Sequence, residues 1–302
     1  MADNETLERR TTRRDVLLLG ASGLVTLVGF GCRRAGAVVA AHPSVPLSTP
    51  ALEEGPFWVG ETGAAFHRSD LRANLDGTNV QSGLPLHLEM TVSHVRHGVV
   101  TPLPNAFVYL WSVNALGVYS DEAQERTARE TYLRGYQVTD ARGRVRFLTL
   151  YPGWYGGRTV HIHARVRTYP QNDPARQPSS DFETQLFFDD AVTDHVLRTV
   201  SPYNQRRGRD TTNRTDHVYI GAALDGTRAR DSGALTTLHV AEDGGHARAS
   251  FHMVLDLSKH ARPGMPPGGF GGPPPGPPPG GFGGPPPGPP PDGFGGPPPP
   301  GD

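Results

Sequence analysis

Two histidines one residue apart, His161 and His163, are the part of this chain best suited to chemistry. They lie in Arg158-Thr159-Val160-His161-Ile162-His163-Ala164-Arg165-Val166, where apolar and polar residues alternate. In a β-strand, alternate side chains point to opposite faces. Val160, Ile162, Ala164 and Val166 therefore share one face. His161 and His163 share the other, close enough to grip one ion together. The spacing by itself also fits a strand whose polar face carries two ordinary histidines beside two arginines. Two tyrosines lie nearby in sequence: Tyr155, at a turn leading into this strand, and Tyr119, after the turn Asn114-Ala115-Leu116-Gly117. The ordinary role of a tyrosine is packing with its hydroxyl hydrogen-bonded. An adjacent ferric ion would instead favour the phenolate. Cys32 is the single cysteine, which excludes an intrachain disulfide and a cysteine-rich metal site. Any metal must then be held by His, Tyr, Asp or Glu, and iron(III), a hard ion, suits oxygen and imidazole donors.

The elements that must position these residues read as β-structure. Period-2 alternation marks strands over 86–92, 106–111, 145–150, 159–167 and 249–257. The third is entered through the turn Asp140-Ala141-Arg142-Gly143, and Tyr151-Pro152-Gly153 also carries turn chemistry. No long stretch shows strong helical periodicity; Ser120 to Arg134 is the best candidate for a short helix or an irregular excursion. Many short strands with frequent turns predict an all-β chain with a β-sandwich core. The net charge of -1 gives no global field that would attract nucleic acid.

The two ends differ in composition from the middle. Thr11-Thr12-Arg13-Arg14-Asp15-Val16-Leu17-Leu18, followed by an apolar run to about Gly31, has the pattern of a twin-arginine export signal. Residues 1–41 are assigned to that signal and a linker. The expected location is the periplasm, the cell envelope or the exterior. Cys32 stands where a lipoprotein signal places its modified cysteine, which offers a route of envelope attachment. From residue 263 the chain repeats Gly-Gly-Phe-Gly-Gly-Pro-Pro-Pro. Proline donates no backbone hydrogen bond and glycine maximises chain entropy, so 263–302 is expected to be a disordered tail. Residues 42–262 form the one expected globular domain.

Several segments of that domain resemble the intradiol ring-cleavage dioxygenases, the family of the catechol and protocatechuate enzymes. Pro104-Asn105-Ala106 to Trp111, then Gly117-Val118-Tyr119-Ser120, is similar to the family's first ligand region. Pro152-Gly153-Trp154-Tyr155, then Arg158-Thr159-Val160-His161-Ile162-His163, is similar to the second. Thr184-Gln185-Leu186-Phe187-Phe188, Asp210-Thr211-Thr212-Asn213 and Glu54-Gly55-Pro56-Phe57 resemble further segments. The resemblance covers roughly residues 51 to 258. It implies a prealbumin-like β-sandwich and a mononuclear non-haem Fe(3+) site with Tyr119, Tyr155, His161 and His163 as ligands. The substrates it implies are a catechol-type molecule and O2, and the product is a muconate-type acid. Tyr155 matches the ligand that leaves when catechol binds, and Arg158 matches a cation that stabilises negative charge on the ring. Gln185 is a candidate for substrate binding; its other reading is a polar residue on an edge strand. Trp111 and Trp154 read as core or pocket wall. The segment between Tyr155 and His161 is shorter than in the catechol and protocatechuate enzymes, and their long N-terminal helical region has no counterpart. Both border the family's substrate pocket, so the substrate stays open.

Three other readings fit parts of the same sequence. One is an exported β-sandwich binding or adhesion module in which the four residues are incidental. Another is a metalloenzyme using His161 and His163 with a carboxylate such as Asp121. The third is a ferric enzyme acting on a different phenolic or polymer-linked substrate.

Overall fold

The computed structural model describes residues 48–60 and 63–260. All of them fall in the second of the two compact units into which the chain divides, Pro43–Asp302. The expected export signal, Cys32 and the tail from residue 263 lie outside the described residues.

Among the described residues, ten strands form two five-stranded sheets. The first sheet is built on β1 (Pro85–Arg96), whose burial alternates residue by residue over its first half. On one side β1 pairs in parallel with β10 (His246–Leu255), which pairs in turn with β9 (Val240–Asp243). On its other side β1 takes two antiparallel partners end to end, β5 (Arg144–Leu150) and β2 (Val99–Pro102). The second sheet runs in the order β4 (Arg134–Val138), β3 (Phe107–Trp111), β6 (His161–Thr168), β7 (Ser180–Phe188) and β8 (Thr237–Leu238). Only β7–β8 is parallel in it.

One hydrophobic cluster joins the sheets. Leu86, Leu88, Met90 and Val92 of β1, Phe147 of β5 and Met253 of β10 meet Val108 and Leu110 of β3, Ile162, Ala164 and Val166 of β6, and Leu186 of β7. This is the predicted sandwich, and the face of β6 expected to be apolar is the one in the core. The cluster removes apolar area from water at about 25 cal/mol per Å2, which holds the two sheets face to face.

The five predicted strands are all present, with ends shifted by a few residues. Ser120–Arg134 is an irregular excursion: Asp121, Arg126, Arg129 and Leu133 have positive φ and turns fill the interval before β4. Two helices escaped the sequence reading. α1 (Asp190–Thr199) starts on Asp189, whose carboxylate accepts the Ala191 and Val192 N–H groups, and it buries Thr193, Val196 and Leu197. α2 (His217–Ile220) is a single turn capped by Asp216. No helix among the described residues is long and apolar enough to cross a membrane.

Candidate metal centre

The outer face of the second sheet, opposite the core, carries the predicted site. Directly opposed residues of antiparallel strands share a face, and the register sets them in rows. Trp111 of β3, His163 of β6 and Gln185 of β7 make one row; His161 and Phe187 make the next. This face does not meet solvent. The segment 48–60 crosses it: Leu52 N–H donates to the Glu183 carbonyl, Gln185 Nε2 to the Glu53 carbonyl, and Arg134 Nη1 to the Phe57 carbonyl. Gly55 passes closest, with φ of +71° and space for a Cβ only 3.4 Å from His163 Cε1. Phe57 then stacks on the Tyr119 ring at 4.2 Å. Under this cover His161 is 2% exposed and His163 1%.

Both tyrosines arrive on loops that lock together. Gly117 and Gly153 N–H groups both donate to the Asn114 carbonyl. A Cβ on Gly117 would lie 1.9 Å from the Trp154 carbonyl oxygen, so only glycine fits there. Arg206 Nη1 donates to the Leu116 and Trp154 carbonyls, clamping one loop to the other. The result brings the four predicted ligands together. His163 Nε2 lies 3.2 Å from the Tyr119 hydroxyl and 3.2 Å from His161 Nε2. The Tyr155 hydroxyl lies 3.4 Å from His161 Nε2.

The protons on this set are constrained. His161 Nδ1–H donates to the Thr159 carbonyl at 2.7 Å, so Nε2 presents a lone pair to the other three groups. Burial, then the charge of Arg158, lowers the His161 pKa to about 3. Burial and the neighbouring His161 hold His163 well below its ordinary value. Burial pushes both phenols up. Two neutral imidazoles and two phenols thus converge, and a cation among them would favour the phenolates over the phenols. Their separations are those of neighbouring ligands around one ion about 2 Å from each. Among the described residues no group of three or more His, Cys, Asp or Glu is placed to hold a metal, so the phenols are needed to complete the set. Asp121, the alternative carboxylate, is exposed and accepts the Arg129 N–H instead.

Arg158 sits at the edge of the cluster, 9% exposed. Its Nε donates to Asp216 at 2.9 Å and its Nη2 to Gln185 Oε1. Gln185 is therefore a partner of Arg158 and of the covering segment. It is fully buried, not on an exposed edge: β7 lies between β6 on one side and β8 with the covering segment on the other. Trp111 is a wall, its ring stacked on His163 at 4.7 Å and 4°. Sequence reasoning missed Asp216, which no short-range pattern links to Arg158. It also missed Arg134, which is buried and holds Ser120 beside Tyr119 through its Nε and Nη2.

Comparison with known proteins finds dioxygenases. The profile of a family described as dioxygenase matches residues 54–188. Catechol 1,2-dioxygenase 1 of Acinetobacter lwoffii is 28% identical over 182 residues, 53% of this chain and 55% of that protein. The chain thus spans about half the length of that curated relative. An intradiol ring-cleavage dioxygenase from Tetranychus urticae shares the fold, with a TM-score of 0.54 at 24% identity over 70% of this chain and 94% of the other.

Proposed function

We propose that this chain, which is similar to the intradiol ring-cleavage dioxygenases, opens a catechol-type ring with O2, between the two hydroxylated carbons, to a muconate-type product. The observation that carries the reading is the convergence of Tyr119, Tyr155, His161 and His163 on the covered face of the sheet. These four side chains would hold a ferric ion. When bound, such an ion supplies Lewis acidity and makes a catecholate electron-rich towards oxygen.

The rest of the work falls to the chain. The interlocked loops hold Tyr119, and Tyr155 follows the clamp at Trp154 and precedes the exposed Gly156 and Gly157. As a phenolate, Tyr155 would take a proton from an incoming catechol: burial pushes its phenol up, and Arg158 beside it would stabilise the charge before the proton arrives. Phe57 and Trp111 exclude water from the imidazole side.

The test is optical. Protein loaded with iron(III) should be coloured by tyrosinate-to-iron charge transfer, and Tyr119→Phe should lose most of that band. A colourless loaded protein, or a band untouched by the substitution, would count against the tyrosinate site and favour a binding module.

A further inference from the structure

We propose that Asp216 is the positioning residue for Arg158, holding its guanidinium at the angle from which it meets the substrate; this rests on the ring-cleavage reading above. Asp216 is 0% exposed, and every bond it makes is directed. Oδ2 accepts Arg158 Nε at 2.9 Å and the Thr159 N–H at 2.8 Å. Oδ1 accepts the Val218 and Tyr219 N–H groups, both at 2.9 Å, at the start of α2. Burial pushes the carboxyl up, but Arg158 and the N–H donors outweigh it and keep Asp216 below its ordinary value.

An arginine side chain free to rotate would spread its charge over many rotamers. Here Asp216 takes Nε and Gln185 takes Nη2, which fixes the guanidinium plane with the Tyr155 hydroxyl in its reach. The same carboxylate reaches a metal-side imidazole through the backbone of one residue, Thr159. Asp216 holds the Thr159 N–H, and the Thr159 carbonyl receives the His161 Nδ1 proton. One buried charge therefore sets both a cation and the orientation of a ligand.

The anchor is itself braced. Asn213 Nδ2 donates to the Phe188 carbonyl at the end of β7, and Thr159 Oγ1 donates to Asn213 Oδ1. Arg209 pairs with Asp190 and Asp194 of α1. The segment bearing Asp216 is thus bound to the sheet end and to the helix, not only to the residue it positions.

The experiment uses the full iron-loaded chain with two variants, Asp216→Ser and Asp216→Asn. Serine is a good helix N-cap and keeps α2 closed while withdrawing the charge from Arg158. Asparagine keeps the volume and one acceptor should the serine variant not fold. The expected result is iron content and visible band retained, anaerobic catechol affinity changed by less than about threefold, and kcat down by roughly tenfold to a hundredfold. Arg158→Met should remove the effect: the double variant Arg158→Met with Asp216→Ser should be no slower than Arg158→Met alone. Turnover within about twofold of wild type, or losses that add in the double variant, would overturn the positioning role. Wild-type protein that consumes no oxygen with any catechol would overturn the ring-cleavage reading instead.

Discussion

His161 and His163 differ in how firmly their protons are placed. The Thr159 carbonyl fixes the His161 tautomer, whereas His163 Nδ1 has no hydrogen-bond partner among the described residues. An acceptor on the far ring nitrogen normally raises a metal-binding imidazole's basicity, so His161 would be the better-prepared donor to a metal. Its titration has a sign that can be checked. In the unfolded chain His161 takes a proton near its ordinary 6.5, while in the fold it refuses one until about 3. The unfolded state binds more protons in that window, so metal-free protein should lose stability as pH falls from 6.5 towards 3. Above the window this group contributes no pH dependence. Urea midpoints against pH should show a shallower acid loss in His161→Asn than in wild type; equal slopes would mean His161 is not buried neutral. The pair was legible in sequence because strand alternation puts i and i+2 on one face. Asp216 was not, because its bond to Arg158 spans the chain between β6 and α2 and follows no local period.

The element that carries the site is β6, and its neighbours hold it by charge as well as by backbone pairing. Arg165, opposite Glu183 in register, donates from Nε to Asp181 at 2.7 Å and from Nη1 to Glu54 at 3.1 Å. Asp181 is almost fully buried and also pairs with Arg167 at 3.1 Å. Removing the Asp181 charge takes from the largely buried Arg167 its carboxylate partner, while Arg165 keeps Glu54 and Glu183. Asp181→Asn should therefore cost about 3–5 kcal/mol in a denaturant titration, and it should loosen the covering segment through Arg165 and Glu54. A loss under about 1 kcal/mol would show the cluster to be solvated and of little weight. Strands of this kind were readable because one face is apolar and the other polar. α1 was not: Val196 and Leu197 are its only large fully buried side chains, too few to print a helical period. The Tyr119 and Tyr155 loops have no period at all. Their meeting depends on glycines at Gly117 and Gly153 and on Arg206, contacts that only the folded chain reveals.

Across the whole molecule, the two faces of one sheet divide the labour. The inner face of β3, β6 and β7 belongs to the core shared by both sheets, and the outer face belongs to the candidate centre. Composition and alternation were enough to predict the sandwich, while the resemblance supplied the tyrosines and the reaction. The resemblance marked Glu54-Gly55-Pro56-Phe57 but not their place: residues 48–60 form a cover whose Gly55 and Phe57 close the site over His163 and Tyr119. The central claim concerns where oxygen goes. Iron-loaded protein given catechol under isotopically heavy O2 should yield a ring-opened dicarboxylic acid carrying both labelled atoms. Oxygen uptake with no ring-opened product, or an acid carrying no label, would contradict intradiol cleavage by this chain.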